Sequence, residues 1–358
     1  MIPVCEPYLR GNELLYIEDC LRTNWISSKG KYIQEFEEKF AAYCGCKYGI
    51  TTTSGTTALH LASATLGIGK GDEVIIPTFT NVATMFAVMY CGAKPVLVDC
   101  DPSTYCIDTN KIEEKITERT RCIIPVHIYG HPCDMEPILE LSMKYNLYVV
   151  EDAAEAHGAK YKGKKVGGLS HIGCFSFYAN KIITTGEGGM LITNSKELAD
   201  RARLLKDLAH IHAKGFWHQE VGFNYRMTNM QAAIGLAQLE KIDDYIEKRR
   251  DSARLYNELL KGIDEVTLPV EKEWAKNVYW MYAIQTRNRE ELAIRLLEKG
   301  IETRPFFIPM HQQPMISDNG SYPVADEISK RGLYLPSGTG LKIKDILYVC
   351  DSIKEIMK

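Results

Sequence analysis

The sequence predicts an α/β fold in which a mostly parallel sheet lies between helices, followed by a smaller α+β region. Three observations carry this. From about residue 48 to about residue 190, short apolar runs alternate with stretches of helical spacing. Within each run the apolar residues are continuous, as expected for strands covered on both faces. Past residue 228 that rhythm gives way to one long helical stretch and then to mixed short elements. A length of 358 residues agrees with roughly two domains.

Taken in order, Val74-Ile75-Ile76, Pro95-Val96-Leu97-Val98, Cys122-Ile123-Ile124-Pro125-Val126 and Leu147-Tyr148-Val149-Val150 read as strands. Residues 57–66, 83–91 and 135–145 have helical spacing and connect them. Such strand–helix–strand units cross over right-handedly, and ligands bind beyond the carboxyl ends of the strands. Gly67-Ile68-Gly69-Lys70-Gly71 precedes a strand instead of following one, so it reads as a helix C-cap and turn and not as a dinucleotide loop. Residues 228–260 read as one long helical connector. This divides the chain into a large domain over 1–240 and a small one over 241–358, with the N-terminal segment packing on the latter. In the small domain, 279–286 and 301–307 read as strands, 290–299 as a helix stopped by Gly300, and 345–357 as an amphipathic helix.

Composition excludes several classes of function. Lys and Arg total 43 against 46 Asp and Glu, a net charge of −3 that lacks the basic surplus of a general nucleic-acid binder. No apolar run approaches the ~20 residues of a membrane span. Glu6, Arg10, Glu13 and two prolines leave no apolar signal-peptide segment at the start. The eleven cysteines are odd in number and scattered, which predicts reduced thiols in a cytoplasmic protein. His127, His131 and Cys133, and likewise His210, His212 and His218, lack paired zinc-ligand spacing, and no metal is expected.

Three local patterns can carry chemistry. The strand near residue 150 ends in Asp152, which places a carboxylate at the rim of the sheet; capping of a following helix is the competing reading. Lys181 lies between the apolar run Phe175-Ser176-Phe177 and the glycine-rich turn Gly186-Glu187-Gly188-Gly189. A desolvated lysine there has a lowered pKa and becomes a nucleophile; a surface lysine beside a hairpin turn is the alternative. Ser54-Gly55-Thr56-Thr57 opens a helix and offers free N–H groups to a phosphate, or serves as an ordinary N-cap. Together a phosphate cradle, a strand-end carboxylate and a nucleophilic lysine fit one ligand, pyridoxal 5′-phosphate (PLP).

With these patterns in place, the chain resembles the DegT/DnrJ/EryC1/StrS sugar aminotransferases over nearly its whole length. The resemblance rests on residues 24–30, 126–135, 184–190 and 222–233. It implies the type I PLP-dependent aminotransferase fold, with a sheet of the seven-stranded type. It implies Lys181 as the Schiff-base lysine and proton carrier, and Asp152 as the partner of the pyridine nitrogen. Ser54, Gly55, Thr56 and Ser176 would hold the cofactor phosphate, and Glu155 would lie near its phenolic oxygen, where many relatives have Gln. Asn224 would reach the phosphate from a neighbouring subunit, so a homodimer with shared active sites is expected. Lys29, Glu187, Arg226 and His311 are the expected substrate contacts. Asn81 stands where an aromatic residue usually covers the cofactor ring.

The implied reaction moves an amino group from L-glutamate to C4 of a nucleotide-linked 4-keto-6-deoxyhexose. GDP-4-keto-6-deoxy-D-mannose is the leading substrate, with the UDP- or dTDP-linked glucose isomer as alternative. Lysine at position 181 favours amino transfer over the dehydration of a branch with histidine there. A PLP-binding regulator without turnover is the rival of another class, weakened by the lack of any appended helix-turn-helix or basic module. A dehydrogenase lacks its glycine fingerprint.

Overall fold

The computed structural model describes residues 1–316 and 318–357; the side chain of His212, weighed above as a metal ligand, lies outside that description. The first strands and helices are β1 (Tyr48–Thr52), α3 (Gly55–Thr65), β2 (Glu73–Pro77), α4 (Val82–Tyr90) and β3 (Lys94–Val98), preceded by α1 (Glu13–Arg22) and α2 (Lys31–Tyr43). There follow β4 (Thr120–Ile123), α5 (Met135–Tyr145), β5 (Tyr148–Asp152), a small hairpin of β6 (Lys160–Tyr161) and β7 (Lys164–Lys165), β8 (Ile172–Ser176) and β9 (Gly189–Thr193). Seven of these strands form one sheet in the order β1-β9-β8-β5-β4-β2-β3. The pairs from β8 through β3 are parallel, and only β9 runs against its neighbours.

Burial explains why these strands carry no polar alternation. Every residue of β2, β8 and β9 is buried, because helices cover both faces of the sheet. Expected β4 stops early, at Ile123; Pro125 has no N–H for the ladder, and Val126 touches Asp152 only through an isolated bridge. The turn after α3 carries Gly67 at φ 74° and Gly71 at φ 98°, the conformations a helix stop and tight turn demand.

The long connector is two helices, α7 (Asn229–Leu239) and α8 (Ile242–Leu260), in place of the single stretch expected. No glycine or proline separates them. Their surroundings do: α7 is buried on nearly all sides, so closely that a Cβ at Gly235 would meet the Phe36 ring at 2.7 Å. Helix α8 is charged on one face and buries only a stripe including Tyr256 and Leu260. At the break Glu240 accepts from Asn12 Nδ2 (2.7 Å) and Tyr16 Oη (2.5 Å), which ties the junction to α1.

Beyond α8 come β10 (Val266–Thr267), β11 (Ala275–Lys276), β12 (Tyr282–Thr286), α9 (Arg289–Glu298), β13 (Arg304–Pro305), α10 (Pro323–Arg331), β14 (Gly332–Leu335) and α11 (Ile343–Ile356). Strands β10-β12-β14-β13 form an antiparallel sheet with its own core of Tyr256, Ile284, Leu296, Leu335 and Val349. The strand expected over 301–307 shortens to Arg304 and Pro305, because Ile301 pairs instead with Ile2. The N-terminal arm lies there, with Val4 N donating to Glu302 Oε2 at 2.9 Å. Among the described residues no helix is long and apolar enough to cross a membrane.

Candidate active site

The carboxyl ends of β5 and β8 and the N-terminus of α3 enclose a cleft of about 280 Å³. Its lining includes Ser54, Gly55, Thr56, Asp152, Glu155, Ser176, Lys181 and Glu187 from one side of the chain, with Trp280 and Phe307 from the C-terminal part. Residues far apart in sequence converge here because parallel strands end at one edge of the sheet.

Asp152 is the last residue of β5 and is buried. No helix follows for it to cap; its Oδ1 accepts from the Ala154 amide at 3.2 Å and its Oδ2 from the Thr84 hydroxyl at 2.8 Å. Thr84 is placed by α4, whose first turn Asn81 caps through Oδ1 accepting from Ala83 N at 3.0 Å. Asn81 therefore serves the helix that supports Asp152, while the aromatic residues at the cleft are Tyr178, Trp280 and Phe307. Burial holds the Asp152 carboxyl above its ordinary pKa, opposed by Thr84, Ala154 and Lys181. A buried carboxylate hydrogen-bonded to neutral donors is suited to receive a cationic partner.

Lys181 lies on the loop between β8 and β9, in a turn closed by its amide donating to Tyr178 O at 2.9 Å. Its Nζ sits 3.7 Å from Glu155 Oε1 and 3.8 Å from the centre of the Trp280 ring. Burial lowers the Lys181 pKa, and the carboxylates of Glu155 and Asp152 raise it back in part. Glu155 is itself buried, which pushes its pKa up to about 7 against the pull of Lys181 and of the Tyr129 amide, which donates to Oε2 at 2.8 Å.

At the opposite end of the cleft Ser54 caps α3 in a capping box with Thr57. The N-cap reading is thus correct, and it is compatible with the cradle: the first intrahelical bond runs from Ala58 N to Ser54 O, so the amides of Gly55 and Thr56 precede it. Gly55 abuts Ser176, where a Cβ would meet the serine Cβ at 2.7 Å.

The remaining expected residues are more dispersed. Glu187 is exposed at the cleft. Asn224 and Lys29 are exposed and do not line it within one protomer. Arg226 pairs with Asp207 in a separate depression lined also by Ser28, Arg203 and Lys206. His311 does not line the cleft; its ring nitrogens bond Thr78 Oγ1 (2.8 Å) and Asp326 Oδ1 (3.0 Å). His127 is buried between Glu151 and the Cys133 amide. Among the described residues no His, Cys, Asp or Glu group of metal-binding size is present.

Thr84, Tyr129 and Trp280 escaped the sequence reading. Thr84 is an ordinary helix residue, and Trp280 reaches Lys181 only through packing of the C-terminal part. Tyr129 lies within the matching stretch 126–135, which gave it no role.

The model of the DegT/DnrJ/EryC1/StrS aminotransferase family matches residues 7–354. The chain belongs to this family. It is 48% identical to the GDP-perosamine synthase of Escherichia coli O157:H7, over 99% of this chain and 98% of that protein. DesV of S. venezuelae superposes with a TM-score of 0.93 at 35% identity, covering 97% of this chain and 94% of that one. The PLP-form of Spr1654 from Streptococcus pneumoniae does so with a TM-score of 0.94 at 25% identity, covering 99% and 98%. The chain is accordingly a PLP-dependent aminotransferase of the type I fold. The cleft fits that cofactor: Asp152 is a buried carboxylate without a cation in its hydrogen bonds, and the bare Gly55 backbone leaves an anion cradle that a Cβ would fill.

Proposed function

We propose that this aminotransferase moves an amino group from L-glutamate to C4 of GDP-4-keto-6-deoxy-D-mannose, forming GDP-perosamine in the cytoplasm. The full-length 48% identity to a GDP-perosamine synthase carries the choice of sugar and nucleotide. The residues at the cleft supply the means. Bound PLP supplies an aldehyde for amine capture and a protonated ring that withdraws electrons from the carbon being deprotonated. Asp152 would pair with the ring nitrogen and keep it protonated. The Gly55 and Thr56 amides with the Ser54 and Ser176 hydroxyls bind the phosphate. Lys181 would hold the cofactor through its Nζ and, as the buried amine of the cleft, would be the group that moves the proton during transfer.

In this reading the functional unit is a homodimer. Asn224 and Lys29, exposed and outside the cleft of their own protomer, and Arg226, beside Asp207, then serve the neighbouring site. Glu187 meets the sugar from within the protomer, and His311 contacts substrate by releasing Thr78 or Asp326. The chain divides near residue 240 into a cofactor domain and a small domain that contributes Trp280 and Phe307 to the cleft.

The test is a panel of GDP-, UDP- and dTDP-linked 4-keto-6-deoxyhexoses with L-glutamate, read by mass and NMR of the product. Preference for the GDP-mannose form is expected. Preference for a UDP- or dTDP-glucose form moves the assignment to the other sugar, and absence of turnover with all of them refutes a 4-keto-6-deoxyhexose acceptor.

A further inference from the structure

Glu155, expected beside the phenolic oxygen of the cofactor, is a buried acid to which the reaction described above gives no part in proton transfer. We propose that Glu155 accepts the ammonium proton of Lys181, so that the pair shares one proton and the lysine becomes a neutral amine without releasing that proton to water. This rests on Lys181 being the residue that captures the cofactor.

Geometry is the first argument. Glu155 Oε1 faces Lys181 Nζ at 3.7 Å, a gap that the flexible lysine stem closes without backbone movement. The other oxygen is fixed by the Tyr129 amide at 2.8 Å. That amide is aimed by a costly backbone: Tyr129 has φ 55° and ψ 12°, and Gly130 follows at φ 100°. Gly130 is pressed so close to the next layer that a Cβ would meet Trp280 N at 2.9 Å. The strained turn is thus pinned between the carboxylate and the tryptophan whose ring covers Lys181.

Chemistry is the second. An ammonium has no lone pair, so Lys181 must transfer its proton before it attacks a carbonyl. The proton moves from Lys181 Nζ to Glu155 Oε1, leaving a neutral amine and a neutral carboxylic acid, and total charge is conserved. Burial disfavours the separated charges on both partners: it lowers the lysine pKa and pushes the carboxyl up to about 7.

The other titratable groups facing the pair are poor acceptors. Asp152 already holds Thr84 and Ala154. The Tyr129 and Tyr334 hydroxyls are raised well above their ordinary range by burial and stay protonated. His157, on the turn after β5, is pushed down to about 3. Cys5 of the N-terminal arm points its thiol at Asn180 O, 3.4 Å away. Glu155 remains.

A shared proton has a kinetic signature. Between the two apparent pKa values of the pair, the fraction of neutral lysine is independent of pH. In Glu155→Gln the proton must leave for solvent, so that fraction rises about tenfold per pH unit below the lysine pKa. The experiment mixes wild-type and E155Q apoenzymes with excess PLP from about pH 7.5 to 9.5, above the range in which both partners hold a proton, and follows capture by absorbance. The ratio of the two rates cancels the titration of PLP itself. We expect a nearly flat wild-type profile relative to E155Q, with the ratio falling close to tenfold per unit as pH rises; parallel profiles overturn the proposal.

If E155Q does not fold, the wild-type apoenzyme carries the test alone. Reductive methylation of Lys181, read by peptide mass, is expected to be nearly pH-independent over the same range, and a tenfold rise per unit overturns the proposal. Borohydride reduction separates the two claims. An adduct on another lysine refutes the role of Lys181, whereas an adduct on Lys181 with parallel profiles refutes only that of Glu155.

Discussion

Replacing Thr84 by valine removes one hydroxyl and keeps the β-branched shape, so it isolates the 2.8 Å hydrogen bond to Asp152 Oδ2. Hydrogen bonds to charged groups contribute about 1.5–3 kcal/mol. At ~1.36 kcal/mol per tenfold this corresponds to a loss of roughly 10- to 150-fold in turnover, provided the carboxylate is needed to hold the ring-nitrogen proton. The sign of the pH effect follows from the same bond. The Thr84 hydroxyl favours the charged carboxylate and so lowers its pKa; without it the pKa rises. Activity that requires the carboxylate is then lost at higher pH on acidification than in the wild type. Single half-reactions with L-glutamate, followed by cofactor absorbance across pH, read both quantities. Thr84→Ser retains the hydroxyl and should stay close to wild type. A folded T84V enzyme within twofold of wild type, with an unmoved acid limb, refutes this support of Asp152.

Two more predictions address the phosphate end and the subunit arrangement. Gly55→Ala drives a methyl to 2.7 Å from the Ser176 Cβ, an overpacking of about 1–3 kcal/mol, and should weaken PLP binding by tenfold or more in equilibrium titration. In the proposed homodimer, Lys181→Ala and Asn224→Ala should each impair activity, the first without borohydride-trapped cofactor. Remixed dimers should recover about a quarter of wild-type activity, because half are hybrids. Each hybrid has one site with both native residues; no recovery places Asn224 in the site of its own chain.

Much of this was legible in the sequence because the chemistry coincides with regular structure. Asp152 ends a buried strand whose apolar run stops at Val150, and Ser54 stands before a helix of small residues, so period and cap chemistry locate both. Lys181 was legible through its place between two buried strands. Thr84 was not, since a threonine one turn into a helix has no local mark; its role arises from the parallel order of β2, β4 and β5. Trp280 depends on how the C-terminal part folds back, its Nε1 donating to Asn180 O at 2.9 Å. The division of the connector into α7 and α8 likewise follows from burial around each half, which local propensity does not encode. In the proposed homodimer the dispersed positions of Lys29, Asn224 and Arg226 have the same origin, since a second chain would bring them to the site.

Amino transfer to C4 of the GDP-linked sugar can be followed directly with a labelled donor. The holoenzyme is incubated with ¹⁵N-labelled L-glutamate and GDP-4-keto-6-deoxy-D-mannose, and the purified product is examined by NMR. Amino transfer to C4 predicts ¹⁵N bonded to C4 of a GDP-linked 4-amino-4,6-dideoxy sugar. Unlabelled or deoxygenated product, or an unchanged keto sugar beside fully active cofactor, contradicts it.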